Sequence, residues 1–90
     1  MKIGYSKDFD KKVAKLKDSL AKKRLYELIT KLEKATTLRE IPNVATIKGS
    51  LGLFRIKTGD YRLIVEYLNR ELTILLIDYL KRNEKTYRNH

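Results

Sequence analysis

Three cations around a predicted turn are the residues of this chain best suited to chemistry. Gly59-Asp60 separates two alternating segments and suits a two-residue type II′ hairpin turn, which places Lys57 directly opposite Arg62. Arg55 lies two residues further along, and alternation puts all three side chains on one face of the sheet. Directly opposed like charges destabilise a sheet, and Glu66 is the nearest acid on these strands. We therefore interpret the cluster as cations without partners, arranged to bind an anion.

A second group of cations follows the last predicted strand. A turn at Asn69-Arg70 would pair Tyr67 with Leu72, Val65 with Ile74, Leu63 with Leu76 and Arg62 with Ile77. The strand would then end at Tyr79, beside the Gly59-Asp60 turn. The segment that would emerge next to the first cluster contains Lys81, Arg82, Lys85, Tyr87 and Arg88. Interleaved Arg, Lys and Tyr side chains suit phosphate contacts and base stacking on single-stranded RNA.

The chemistry that these residues could perform is cleavage of RNA without a metal. The sequence has no His, Asp and Glu cluster with metal-ligand spacing and no Gly-rich phosphate loop, so we expect no metal and no cofactor. The RNA 2′-hydroxyl can attack the adjacent phosphate if a base removes its proton. Neighbouring cations disfavour the charged form of Lys57, which would let it act as that base. Arg62 and Arg82 would hold the pentavalent phosphate.

Composition agrees with a polyanionic partner. The 90 residues contain 21 Lys and Arg against 11 Asp and Glu, a formal net charge of +10, which is typical of a nucleic-acid binder. An acidic protein partner would satisfy the same charge, and an ordinary solvated basic face is the alternative without a function. The absence of cysteine excludes disulfides, thiolate zinc sites and cysteine nucleophiles. We expect one domain over residues 1–90, cytoplasmic, with no signal peptide and no membrane contact.

The remaining sequence predicts the elements that position these residues. Residues 2–5 form a short strand, Ser6 and Asp18-Ser19 are N-caps of two amphipathic helices, and the second helix ends near Ala35-Thr36. After a loop over residues 37–43, alternation predicts strands at 44–48, 53–58, 61–67 and 72–79. The fold class is therefore α+β, with an N-terminal strand and a helical hairpin packed on a mainly antiparallel four-stranded sheet (β-α-α-β-β-β). The predicted core face of the sheet comprises Phe54, Ile56, Leu63, Val65, Tyr67, Leu72, Ile74 and Leu76.

Two segments resemble the RelE/ParE toxin superfamily. Residues 48–64, KGSLGLFRIKTGDYRLI, are similar to the core hairpin motif of that superfamily, and residues 81–87, KRNEKTY, are similar to its basic C-terminus. The predicted order of helices and strands also agrees, so the resemblance covers nearly the whole chain. The hairpin motif is the more specific of the two.

The resemblance implies the toxin of a type II toxin–antitoxin system. RelE-like members enter the ribosomal A site and cleave mRNA, and a cognate antitoxin wraps and neutralises each of them. Contact with operator DNA would be indirect, through the antitoxin. ParE-like members share the fold but poison DNA gyrase without catalysis, and this is the alternative.

The resemblance also assigns roles to single residues. It puts Lys57 at the general base, Arg62 at the arginine that stabilises the transition state, and Arg82 at the arginine for leaving-group protonation or phosphate contact. Tyr87 falls on the tyrosine that stacks on or orients the substrate. Further substrate-binding cations would be Arg55, Lys48, Lys81, Lys85 and Arg88. The interval from Arg82 to Tyr87 is about one residue shorter than in the best-studied members, and Lys81 replaces a common histidine. The joint presence of Lys57, Arg62, Arg82 and Tyr87 favours the ribonuclease over the gyrase poison.

The charge also predicts how an antitoxin would bind. We expect an acidic segment with spaced apolar anchors, disordered alone and folding on contact. It would bind the basic sheet face, where Ile64, Leu75 and Ile77 would supply apolar patches, or the outer faces of the helices. It would inhibit either by covering Lys57 and Arg62 or by displacing the segment that contains Arg82 and Tyr87.

Overall fold

The computed structural model describes residues 1–68, 71 and 73–82. The helices are α1 (Lys7–Lys15) and α2 (Ser19–Lys34), followed by a short 3-10 helix (Leu38–Glu40). The strands are β1 (Lys2–Tyr5), β2 (Val44–Thr46), β3 (Leu53–Thr58), β4 (Tyr61–Leu68) and β5 (Thr73–Lys81). They form one five-stranded sheet in the order β1-β5-β4-β3-β2. Within this part of the chain, no helix is long and apolar enough to cross a membrane.

The N-terminal strand belongs to the sheet, and this corrects the prediction of four mainly antiparallel strands. β1 pairs with β5 in parallel, with Ile3 beside Ile74, whereas the other three pairings are antiparallel. The sheet is therefore mixed, and the element order is β-α-α-β-β-β-β. The two helices between β1 and the remaining strands provide the long crossover connection that a parallel pair requires.

Both predicted N-caps are confirmed. The Ser6 Oγ accepts a hydrogen bond from the Phe9 N–H at 3.1 Å, and the Asp18 carboxylate accepts one from the Ala21 N–H at 3.0 Å. Each bond satisfies a backbone donor that the first turn of a helix leaves without a partner. α2 ends at Lys34 with Ala35 as its C-cap, next to the predicted end near Ala35-Thr36.

The loop after α2 contains a turn that the sequence did not predict. The Glu40 carboxylate accepts hydrogen bonds from the Thr36 Oγ1 and from the N–H groups of Thr36 and Thr37, at 2.6 to 2.8 Å. The bond from the Thr36 side chain is the main cause of a pKa of Glu40 below its ordinary value. The loop is thus held against the end of α2, and it leads to β2 at the edge of the sheet.

The hydrophobic core lies between the helices and one face of the sheet, as predicted. Ile56, Leu63, Val65, Ile74 and Leu76 are buried there, against helical residues that include Phe9, Leu25, Leu28, Ile29 and Leu32. Phe54 and Tyr67 are partly buried at its margin, whereas Leu72 lies outside the described residues. Tyr79 is also buried, its hydroxyl donates to the Ala21 carbonyl at 2.9 Å, and its ring stacks on Tyr61. These contacts fix β5 beneath α2.

The predicted register between β4 and β5 is wrong. Tyr67 pairs with Ile74 rather than Leu72, because four residues (69–72) connect the strands where two were expected. A β-bulge on β5 beside Ile64 and Val65 adds one further residue, so Arg62 pairs with Leu80 rather than Ile77. The first shift is even and keeps the same residues on the core face, whereas the bulge reverses the alternation and turns Tyr79 into the core.

Candidate functional site

The hairpin of β3 and β4 has the predicted register. Lys57 pairs with Arg62 and Arg55 with Ile64, and Gly59 has a φ of 60° while Asp60 does not have a positive φ. A positive φ at the first turn position alone fits the type II′ turn. Since Ile56 and Leu63 face the core, Arg55, Lys57 and Arg62 share the opposite face. Lys57 is exposed, and the two arginines are half-buried.

The two arginines are not isolated cations. Arg55 and Arg62 each take part in an interaction within the chain, so the expectation that the cluster lacks partners is wrong for both of them. The three side chains still share one face of the sheet.

The end of β5 reaches the same corner of the sheet. The Arg82 N–H donates to the Asp60 carbonyl at 2.7 Å, which ties the residue after β5 to the hairpin turn. Leu80 pairs with Arg62, so alternation places Arg82 on the face that carries Lys57 and Arg62. Lys81 pairs with Tyr61 and belongs to the opposite face. The prediction that the end of β5 brings cations next to Lys57 and Arg62 is thus confirmed for Arg82. Lys81 lies at the same corner but on the opposite face of the sheet.

Apolar side chains lie buried beneath the cations on the basic face of the sheet, the face that carries Arg55, Lys57 and Arg62. Ile64 and Leu80 are both 0% exposed, although neither belongs to the core beneath the helices. This corrects the expectation that Ile64 offers an exposed anchor for a partner. Leu75 and Ile77 are half-buried. A floor of apolar side chains lowers the local polarity around the arginines, which strengthens their attraction for an anion.

The other predicted site residues lie elsewhere. Lys48 is exposed in the turn between β2 and β3, at the end of β3 remote from Gly59 and Asp60, so it is not brought together with Lys57. Lys85, Tyr87 and Arg88 lie outside the described residues. The corner of the sheet therefore collects Lys57, Arg62 and Arg82, with Arg55 one step along.

The sequence interpretation missed a contribution from α2. Arg24 packs directly over the hairpin turn: a β-carbon at Gly59 would collide with its guanidinium group. Arg24 and Lys31 also line a cleft that Lys57 borders. Arg24 and Lys31 are seven residues apart, which is two helical turns, so they lie on the same side of α2. This spacing is the sequence feature that could have predicted their shared position.

Comparison with known proteins gives matches among solved structures. No protein-family model and no curated protein matches the chain. A chain of the RelB–RelE antitoxin–toxin complex from Methanococcus jannaschii superposes with a TM-score of 0.78 at 23% identity, over 96% of this chain and 95% of that one. A chain of the archaeal RelE–RelB complex from Pyrococcus horikoshii gives 0.74 at 24% identity, over 92% and 96%. The isolated RelE toxin of E. coli gives 0.66 at 16% identity, over 98% and 92%.

These likenesses extend over nearly the full length of each pair of chains. At such low identities they concern the arrangement of the backbone alone. The fold of this chain is the fold of the RelE toxins.

Proposed function

We propose that the protein is the toxin of a type II toxin–antitoxin system and that it acts in the cytoplasm as a ribosome-dependent mRNA endoribonuclease. The observation that carries the proposal is the meeting of three cations at one corner of the sheet. Lys57 pairs with Arg62, and Arg82 is held beside them by the Asp60 carbonyl. The RelE fold supports the same conclusion, because the similar structures include RelE toxins alone and in complex with RelB antitoxins.

The proposed reaction needs only groups of this chain and of the RNA. Lys57, as general base, accepts the proton of a 2′-hydroxyl, and the oxygen attacks the adjacent phosphorus. Arg62 and Arg82 bind the non-bridging oxygens as negative charge accumulates on the pentavalent phosphate. The bond to the 5′-oxygen then breaks, and that oxygen takes a proton from the Arg82 guanidinium, leaving a 2′,3′-cyclic phosphate and a 5′-hydroxyl. Water then restores the proton of Arg82 and takes up the one that Lys57 accepted. Tyr87 would stack on a neighbouring base and orient it.

The partner that controls this site would be a cognate antitoxin. The structures of RelB with RelE establish such a partner for those toxins. The net charge of +10 favours an acidic segment of the antitoxin on this chain. Coverage of Lys57 and Arg62 would remove the phosphate site directly.

Substitution of Lys57 tests the catalytic assignment. Lys57→Ala should lower the rate of mRNA cleavage on programmed ribosomes by at least about 100-fold, since general base catalysis contributes on the order of 10²–10⁴. Affinity for the ribosome should change little, because one charge among many contributes modestly to binding of a polyanion. Lys2→Ala is the matched control: Lys2 is also exposed but lies on β1, at the opposite edge of the sheet. Cleavage by Lys57→Ala at the wild-type rate would show that Lys57 is not the base.

Expression of the wild-type protein tests the target. Protein synthesis should stop while DNA supercoiling stays normal, and primer extension on translated messages should reveal cuts within codons. Loss of supercoiling with intact messages would refute the ribonuclease and support poisoning of DNA gyrase.

A further inference from the structure

A cleft of about 360 Å³ opens between α2 and the edge of β3, next to the hairpin turn. Its walls include Arg24, Glu27 and Lys31 of α2, and Lys57, Thr58 and Gly59 at the end of β3. The volume lies within the range of small-ligand sites, about 300–1,000 Å³. The candidate base of the proposed reaction thus borders a second surface, on the helical side of the sheet.

The path of the chain before β2 keeps this cleft open. Val44 pairs with Ile56, so Lys57 is the first residue of β3 beyond the reach of β2. Asn43 adopts a left-handed φ of 63°, and its carbonyl accepts a hydrogen bond from the Lys57 N–H at 3.2 Å. The edge of β3 is therefore satisfied at this point without being covered by another strand.

The cleft has a positive lining. The charged residues of α2 in the cleft are Arg24, Lys31 and a single acid, Glu27, and Lys57 lies at its border. Among residues 1–68, 71 and 73–82, no carboxylate lies within salt-bridge distance of these three cations. Arginine and lysine that converge on one concave surface bind phosphate well, arginine through two parallel hydrogen bonds and lysine as a point charge.

We propose that this cleft binds a backbone phosphate of the RNA next to the one that is cleaved, with Arg24 and Lys31 as positioning residues. The inference rests on the proposed function, because it concerns the same RNA strand. A strand whose scissile phosphate lies between Lys57 and Arg62 passes the edge of β3 at Asn43 and places its neighbouring phosphate in the cleft, beside Arg24 and Lys31. Fixing two successive phosphates orients the intervening ribose, so that its 2′-hydroxyl points at Lys57.

Charge-matched variants of α2 test this assignment in ribosome-dependent cleavage. The quantity to compare is the maximal single-turnover rate divided by the half-saturating concentration. The double variant Arg24→Gln/Lys31→Gln should lower it by at least about tenfold, since each hydrogen bond to a charged group contributes a factor on the order of ten or more to binding. The control Lys22→Gln/Lys23→Gln removes the same charge from a different surface of α2 and should stay close to wild type. Equal losses in the two double variants would assign the effect to overall charge and overturn the proposal.

Single variants separate phosphate binding from support of the hairpin turn. Arg24 also packs over Gly59, so Arg24→Gln can act through the fold, whereas Lys31→Gln cannot act through that contact. Lys31→Gln should lower cleavage severalfold without changing the melting temperature, and Lys31→Arg should restore it. Wild-type cleavage by Lys31→Gln would overturn the role of the cleft, even if Arg24→Gln were inactive.

Anion binding can also be measured without catalysis. Titration of the wild-type protein with inorganic phosphate, at constant ionic strength in chloride, should shift the amide resonances of Asn43 and Gly59. The shifts should vanish in Arg24→Gln/Lys31→Gln. Unchanged resonances in the wild type would overturn the inference whether or not the protein cleaves mRNA. Phosphate-dependent shifts in a protein that cleaves no mRNA would refute the proposed function and leave the anion site standing.

Discussion

The buried hydroxyl of Tyr79 gives a pH-dependent prediction about stability. Tyr79 is 2% exposed, and its hydroxyl donates to the Ala21 carbonyl of α2. Burial, with smaller contributions from Tyr61 and Asp18, raises the pKa of Tyr79 from 10.0 to about 12. We expect Tyr79→Phe to lower the free energy of unfolding by about 1 kcal/mol near neutral pH, the usual value of a hydrogen bond within a protein.

The sign of the pH effect follows from the direction of the pKa change. The folded state holds the phenolic proton more tightly than the unfolded state does, so this stabilisation is complete below about pH 10 and is lost as the pH rises toward 12. The difference of two pH units sets an upper limit of roughly 3 kcal/mol, at about 1.4 kcal/mol per unit. At about pH 11 the free energy of unfolding of the wild type should have fallen by about 1.4 kcal/mol. This loss equals or exceeds the stability that the wild type has over Tyr79→Phe near neutral pH.

Urea denaturation followed by circular dichroism, between about pH 8 and about pH 11, measures both the contribution of the hydroxyl near neutral pH and its loss at alkaline pH. As the pH rises, the free energies of unfolding of wild type and Tyr79→Phe should converge, and they should cross by about pH 11. Tyr26→Phe is the control, because Tyr26 is 56% exposed, and its curve should stay parallel to that of the wild type. A constant difference between wild type and Tyr79→Phe across the range would refute the link between burial of Tyr79 and alkaline stability.

The other predictions concern the turn, the first helix and the partner. Gly59→Ala should lower the free energy of unfolding by about 1–3 kcal/mol, and by more than Gly49→Ala does, because both residues have a positive φ but only Gly59 faces Arg24. Equal costs in urea denaturation would contradict that contact. Ser6→Ala should cost about 1 kcal/mol through the lost cap on Phe9, and an unchanged melting temperature would contradict it. Association with an acidic antitoxin should slow as salt rises, and stopped-flow rates that do not depend on salt would show that apolar contacts hold the partner.

The hairpin that carries the site could be predicted from local sequence because its determinants are local. Glycine at the first position of a two-residue loop fixes the turn type, and the turn fixes the register of Lys57 with Arg62. Alternation on both flanking strands agrees with that register, since a slip of one residue would expose Ile56 and Leu63. Two independent signals therefore gave the same answer. The same is true of the N-caps, where Ser6 and Asp18 each precede an amphipathic segment.

The pairings that the sequence did not reveal depend on longer-range determinants. The alternation of apolar and polar residues does not show where a strand stops and a connection such as residues 69–72 begins. No characteristic residue type marks the position of the bulge on β5 either. β1 has only four residues, and nothing in their alternation says that they pair in parallel with a strand about 70 residues away. Such pairings are decided by the burial of Ile3 beside Ile74 and by the crossover through the helices, which are tertiary effects.

The bulge also explains how one end of β5 serves the core and the site at once. Without the extra residue, Tyr79 would lie on the far face, opposite Arg62, and its hydroxyl could not reach Ala21. With it, Tyr79 anchors the strand beneath α2, and Leu80 takes the position under Arg62. The strand also ends at the height of the Gly59 turn, where the Arg82 N–H reaches the Asp60 carbonyl. A single inserted residue therefore sets both the packing of β5 and the arrival of Arg82 beside Lys57 at the candidate site, and redirecting a strand in this way is a common effect of a bulge.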